Sequence, residues 1–328
     1  ELINVMHKLI EDGKTIIIIT HKLNEIKQSA EECTVLRRGK YIDTVDVEGV
    51  SEKELANLMV GREVNLTADK PPAKIGETAF EIKNLFVKNE KGLYAVKDLS
   101  LKIHKGEILG LAGIDGNGQK ELVEAITNLK PTEKGTISIN GVDIQNTSPD
   151  FVLKNKVATI HEDRQKEGLV LDFTVAENII LENFKSPLYS KRGIFLKEKA
   201  IAKAKELIKK FDIRPGDCEN LKVRGLSGGN QQKVIIAREV ENNPDLLIAM
   251  QPTRGLDVGA IEFIHKTLIH ERDKGKAILL ISYELDEVMN LSDTLAVIYD
   301  GKILDSFAQG TVDENTIGLL MAGGKING

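Results

Sequence analysis

Two rhythms of apolar residues alternate along this chain. Short, nearly unbroken apolar runs at 16–20, 107–112, 156–160, 246–250 and 277–282 have the length and density of strands buried on both faces of a parallel sheet. Between them, apolar residues recur three and four apart, as in Leu2, Val5, Met6 and Leu9, or along the amphipathic run 196–211. The first rhythm predicts strands and the second helices. Near the start, this gives a helix over 1–11, a strand at 16–20 and a helix over 23–30. Strands at 34–36 and 40–45 then flank a turn at Gly39, and a helix opens at Ser51, where Glu54 three residues on completes a capping box. Further on, strands at 79–87 and 99–103 precede the apolar strand 107–112, a glycine-rich loop and a helix over 122–129. Then come a strand at 156–160, a mostly helical stretch 173–225, a helix at 230–242, a strand at 246–250, a helix at 258–272 and a strand at 277–282. Strands and helices in this alternation predict an α/β fold with a mostly parallel sheet.

The pattern also repeats. The stretch 13–21, Gly-Lys-Thr-Ile-Ile-Ile-Ile-Thr-His, matches 275–283, Gly-Lys-Ala-Ile-Leu-Leu-Ile-Ser-Tyr, so that Tyr283 lies 262 positions after His21. Glu25 and Glu287, Asp43 and Asp305, and Leu58-Met59 and Leu320-Met321 keep the same offset. An ungapped register over roughly 60 positions marks a duplicated unit. Residues 1–66 therefore read as the C-terminal tail of a first, truncated module, and 79–328 as a second, complete one. Residues 67–78, with Pro71, Pro72 and Gly76, read as a short linker. The expectation is that the natural protein has a longer N-terminus.

Composition narrows the classes. A formal net charge of −5 and 4% aromatic residues, with no Trp, argue against a nucleic-acid partner, which needs basic and stacking surfaces. No apolar run reaches the roughly 18–20 residues of a membrane span. Cys33 and Cys218 form no disulfide or metal spacing.

Chemistry gathers at two glycine-rich stretches. In Leu226-Ser227-Gly228-Gly229-Asn230-Gln231-Gln232-Lys233, a serine suited to N-capping and two glycines run into a helix, so backbone amides can face an anion, a phosphate above all. The second stretch, Gly113-Ile114-Asp115-Gly116-Asn117-Gly118-Gln119-Lys120, sits between a strand and a helix, as a phosphate loop must. Its glycine spacing departs from that of a dinucleotide-binding loop. Against the pattern G-x-x-x-x-G-K-[ST], Gln119 stands in the lysine's place and Lys120 in that of the Mg²⁺-binding hydroxyl.

The first stretch resembles the signature motif of ABC transporter ATPase modules, and the resemblance extends over nearly the whole chain. It implies a P-loop NTPase ABC module with a mostly parallel sheet core, an antiparallel β subdomain and a helical subdomain. It implies ATP, with Mg²⁺ at the partner consensus site, and ATP contacts from Gly113, Gly116, Gly118, Gln119 and Lys120. Glu162, within His161-Glu162-Asp163-Arg164, takes the place of the nucleotide-sensing glutamine. By the same resemblance, Leu226, Ser227, Gly228, Gly229, Asn230, Gln231 and Asp257 reach across a dimer to ATP held by the other module. His21 would contact the γ-phosphate at the truncated module's site. Tyr94 is a candidate for stacking on adenine.

Several positions depart from the family pattern. Met250 and Gln251 replace the Asp-Glu pair that supports Mg²⁺ and polarises water, and Tyr283 replaces the histidine. A thioether is no ligand for a hard ion and a neutral amide is a poor base, so this module is expected to hold no metal. Every lost group serves this module's own pocket, and every retained one serves the other site. The resemblance therefore implies an asymmetric pair, and an isolated fragment without ATPase activity. Pro252-Thr253-Arg254-Gly255-Leu256-Asp257-Val258-Gly259-Ala260 resembles the tandem ATPase subunits of bacterial nucleoside and simple-sugar importers. Implied partners are two membrane permeases, an extracytoplasmic binding lipoprotein and the other module in cis, at the cytoplasmic face of the plasma membrane. Soluble translation-factor ABC proteins and a non-catalytic regulatory role are the alternatives. The former usually carry a long charged linker and two intact sites.

Overall fold

The computed structural model describes residues 2–37, 39–64 and 70–324. They fall into two compact units. The first gathers residues 2–64 with 255–263, and the second gathers 70–254 with 264–324.

In the first unit, α1 (Leu2–Glu11), α2 (Leu23–Ser29) and α3 (Glu52–Val60) accompany the antiparallel hairpin β1 (Glu32–Arg37) and β2 (Lys40–Asp46). Ile26, Val47 and Leu55 form one small core. Ala56 and Val64 form another with Val258. The capping box at Ser51 and Glu54 is present. The strand expected at 16–20 is not: the run is extended but joins no sheet, leaving Ile17 88% and Ile19 97% exposed. Its repeat partner Ala277–Ser282 is a fully buried strand between two parallel neighbours. Among the described residues no strand pairs with this run, although it has the composition of an interior strand.

The second unit opens with β3 (Thr78–Lys88) and β4 (Tyr94–His104). These join β6 (Lys134–Ile139) and β7 (Val142–Asp143) in an antiparallel sheet of order β4-β3-β6-β7. Its main sheet comprises β5 (Ile108–Ala112), β8 (Val157–Ile160), β11 (Leu246–Met250), β12 (Ala277–Ser282), β13 (Thr294–Tyr299) and β14 (Lys302–Ala308), in the order β14-β13-β5-β12-β11-β8. Only the edge strand β14 runs antiparallel. One face carries Leu109, Leu111, Ile248, Leu279 and Ile281, which pack with Phe80, Leu99, Leu122 and Ile126 into the main core. Helices α4 (Gln119–Ile126), α5 (Pro149–Lys154), α9 (Val258–Asp273), α10 (Leu285–Leu291) and α11 (Glu314–Met321) complete the alternation.

The stretch 173–225 is less helical than its composition suggests. It contains α6 (Val175–Ile179) and α7 (Lys197–Lys210), separated by turns and a minimal hairpin, β9 (Ser190–Lys191) with β10 (Ile194–Phe195). Helix α8 (Gly228–Glu241) follows.

A buried ionic cluster fastens the chain just upstream of β3. The Lys70 ammonium donates to the Leu291 and Ser292 carbonyls and to Asp293 Oδ1, each at 2.8 Å. The fully buried Arg272 guanidinium donates to the same oxygen and to the Pro71 carbonyl, both at 2.9 Å. Asp293 Oδ2 accepts from the Ile108 amide. Residues 67–69 of the expected linker lie outside the described residues.

Candidate functional site

The sheet order sets the site. Strands β5, β12 and β11 are parallel neighbours, with Leu111 opposite Ile281 and Ile281 opposite Met250. Their carboxyl ends therefore bring Gly113, Tyr283 and Gln251 to one edge, where open α/β sheets bind ligands.

The loop from β5 to α4 is built from its glycines. Gly116 and Gly118 have φ of +86° and +98°, which side chains with a Cβ avoid. A Cβ on Gly118 would lie 2.4 Å from the Ala95 carbonyl oxygen. The N-cap residue Gly118 offers no side-chain cap to the first amides of α4, the condition under which an anion can take them. Gln119, 1% exposed, folds back under the loop and donates from Nε2 to the Ile114 carbonyl at 3.1 Å. Its Oε1 is buried without a partner among the described residues. Lys120 points outward, its side chain 58% exposed and 3.9 Å from Glu124. Asp115 Oδ1 accepts from the Tyr283 hydroxyl at 2.9 Å, a tie across the pocket that sequence alone did not suggest. Burial, and next the bond to Asp115, push the Tyr283 pKa well above the ordinary phenol.

At the end of β11, Met250 is buried. Gln251 has φ of +48° and donates its amide to the Ile281 carbonyl at 2.8 Å. Its side chain is 5% exposed, with Nε2 lacking a partner among the described residues. Mg²⁺, which the resemblance implies, does not fit these residues. It calls for hard oxygen donors and carboxylates, where this pocket offers a thioether, a neutral amide and, in place of the hydroxyl, an ammonium.

The segment after β8 reaches the signature stretch. Burial, with Arg238 as a second cause, holds the His161 pKa below the usual imidazole value. Glu162 pairs with Arg254. Arg164 Nη1 donates to the Arg254 carbonyl at 2.9 Å, and its Nη2 lies 2.7 Å from where a Cβ on Gly228 would stand. Gln165 donates to the side chain of Gln231 at 3.2 Å. Arg164 and Arg254 were not singled out from sequence. Only folding brings Arg164 against Gly228 at the start of α8 and onto the Arg254 carbonyl.

Ser227 precedes α8 in N-cap position, but its hydroxyl caps no backbone amide. It accepts instead from Asn230 Nδ2 at 2.9 Å, because a side-chain donor sits one turn on. Asn230 in turn accepts from the Arg214 amide at 2.8 Å, and Gln231 donates to the Val223 carbonyl at 3.2 Å. Leu226 is buried. These bonds hold the side chains back and leave the amides of Gly228 and Gly229 uncapped by them at a positive helix end. An open cavity of about 680 Å³ beside α7, lined by Lys205, Asp212, Arg214 and Glu219, lies away from the strand ends.

Two candidates belong to the first unit. His21 is half-buried, next to Thr20, whose hydroxyl donates to Glu25 at 2.6 Å. Asp257 Oδ1 accepts from the Ala260 amide at 2.9 Å, at the start of α9. Tyr94 is half-exposed, packed edge-on against Phe86 at 5.6 Å with the Lys88 ammonium 5.4 Å from its ring.

The glycine loop and the helix start set on this sheet agree with the ABC ATPase fold, and residues 96–254 match the family described as ABC transporter. The fold agrees with a nucleotide-free ATP-binding cassette from an ABC transporter, at a TM-score of 0.62 and 24% identity over 74% of this chain and 95% of that one. It agrees equally with a dimeric ABC cassette bound to ADP and Pi, at 0.60 and 24% over 71% and 100%. In sequence, the chain is 51% identical to the nucleoside import ATP-binding protein NupA of Lactococcus lactis, over 100% of this chain and 64% of that protein. It is 51% identical to the guanosine import ATP-binding protein NupO of Bacillus subtilis, over 100% and 65%. It is 38% identical to the glucose import ATP-binding protein TsgD13 of Haloferax volcanii, over 98% and 59%. The chain thus spans somewhat under two thirds of the length of these relatives. Among the described residues, no helix is long and apolar enough to cross a membrane.

Proposed function

We propose that this chain is part of the ATP-binding subunit of an ABC importer for nucleosides or simple sugars, and that its complete module lends its signature helix to ATP seated in a preceding module. The observation that carries this reading is the asymmetry of the second unit. The N-terminus of α8 is uncapped, while the pocket at the strand ends holds Gln119, Met250, Gln251 and Tyr283. Phosphoryl transfer needs a positioned metal and a water-orienting group. The side chains here offer neither hard ligands for the first nor a carboxylate for the second, so in this reading turnover belongs to the other site.

In this reading Ser227, Gly228 and Gly229, with Asp257, face the γ-phosphate of that ATP, and His21 completes its site. Residues 1–66 are the end of the module that holds it. The repeat supports this, as does the exposed apolar run at 16–20, which has the composition of an interior strand but joins no sheet. Mg²⁺ belongs to that site. The partners are that module, two membrane permeases and an extracytoplasmic binding lipoprotein, with the subunit on the cytoplasmic membrane face. Nucleosides are favoured over sugars because the 51% identical relatives are named for nucleoside and guanosine import, whereas those at 34–38% are named for the import of sugars such as glucose, ribose, galactose or xylose.

The test is complementation. This chain alone should hydrolyse Mg-ATP negligibly. Adding a separately produced preceding module should raise the rate to a plateau at one chain per module. Ordinary turnover by the chain alone, or no gain on mixing, would refute the reading.

A further inference from the structure

The misfit with Mg²⁺ leaves buried polar groups at these strand ends unsatisfied. Gln119 Oε1, an acceptor, and Gln251 Nε2, a donor, are both buried without partners among the described residues. Each unpaired group costs about 1–3 kcal/mol, which favours a rearrangement that gives it a polar partner. The loop amides at the start of α4 are uncapped. Lys120, in the first turn of that helix, has only Glu124 within ion-pair reach among the described residues, at 3.9 Å. Glu124 is itself held at 2.7 Å by Lys130. The Lys120 ammonium is therefore available on a flexible four-carbon stem, at the position where a hydroxyl would otherwise hold the metal.

We propose that this pocket binds a nucleoside polyphosphate without Mg²⁺, with the Lys120 ammonium supplying the positive charge that a metal would supply. The proposal rests on the reading above only in taking the 113–120 loop as a nucleotide loop. A fixed cation on the chain neutralises part of the phosphate charge but polarises no water, so the guest stays intact. Asp115 works against binding, since its carboxylate, tied to Tyr283 at 2.9 Å, adds a like charge to the same loop. The pocket is therefore tuned by two opposed side chains of one loop, and both signs can be tested.

The experiment is a fluorescence titration of this chain with a methylanthraniloyl-labelled ATP, in excess Mg²⁺ and in excess EDTA, with circular dichroism confirming the fold of each variant. The dissociation constants should agree within about twofold in the two buffers. Lys120→Ala should weaken binding about tenfold in both, the loss of one charge-assisted contact. Asp115→Asn, which keeps an acceptor for Tyr283, should tighten it several-fold. A tenfold or greater loss in EDTA, an unchanged Lys120→Ala variant, or no binding at millimolar nucleotide would each overturn the proposal. Those outcomes leave the signature reading standing, because α8 serves nucleotide held elsewhere. Failed complementation would sink that reading and leave metal-independent binding untouched.

Discussion

Two glycines of one loop separate conformational strain from steric contact. Gly116 and Gly118 both have positive φ, +86° and +98°. A Cβ on Gly116 would meet nothing within 4 Å, whereas one on Gly118 would stand 2.4 Å from the Ala95 carbonyl oxygen and 3.2 Å from its carbon. Gly116→Ala should therefore cost only the left-handed backbone penalty, about 1–2 kcal/mol. Gly118→Ala carries the same penalty and must also displace backbone of β4, which cannot swing away as a side-chain tip would. Overpacking of that kind costs about 1–3 kcal/mol, so the double burden is about 2–5 kcal/mol. Urea denaturation followed by far-ultraviolet circular dichroism measures both, as shifts in midpoint at constant slope. The difference between the variants isolates the contact with Ala95. If Gly118→Ala loses no more stability than Gly116→Ala, the account of how this loop is seated on β4 is wrong.

Three further outcomes follow from the same geometry. Arg272→Leu should destabilise by about 3 kcal/mol, the low end for breaking a buried pair, because Lys70 stays on Asp293 while the Pro71 carbonyl is orphaned; a double-mutant cycle with Lys70→Met should be non-additive. Tyr283 should ionise later than the ordinary phenol value of about 10, and Tyr283→Phe should remove that late phase from an absorbance titration. Because its pKa is raised in the fold, its contribution is fully present below pH of about 10 and is lost as pH rises further, so wild type should lose stability relative to Tyr283→Phe above that pH. Ile281→Ala, in a fully buried strand, should cost about 2–5 kcal/mol, whereas Ile19→Ala at the matching repeat position should stay within about 0.5 kcal/mol.

Four strands of the main sheet, β5, β8, β11 and β12, are legible as dense apolar runs, whereas β13 and the mostly exposed edge strand β14 are not among the expected elements. Leu246–Met250 and Ala277–Ser282 were read to the residue. The same rule failed at 16–20, since composition reports what a strand needs and not whether its neighbours exist. The helical expectation over 173–225 failed in part for a related reason: apolar residues such as Phe173, Leu188 and Leu221 occupy turns there and remain exposed. At the site, the motif positions were readable one by one. Their ties were not. Asp115 with Tyr283, Glu162 with Arg254, and Arg164 against Gly228 join residues 64 to 168 positions apart, and no local pattern encodes such a pairing. Ser227 shows the limit from the other side. Its residue type fits an N-cap, yet Asn230 three residues on takes the hydroxyl.

The division of labour between the two sites can be tested by one comparison of Mg-ATP hydrolysis rates in the subunit joined to its preceding module. Ser227→Arg places a long cationic side chain at the mouth of α8, whereas Gln251→Glu restores a carboxylate to the degenerate pocket. The account predicts that Ser227→Arg abolishes turnover and Gln251→Glu leaves it unchanged. A subunit still active with arginine at 227, or one markedly accelerated by glutamate at 251, would contradict it.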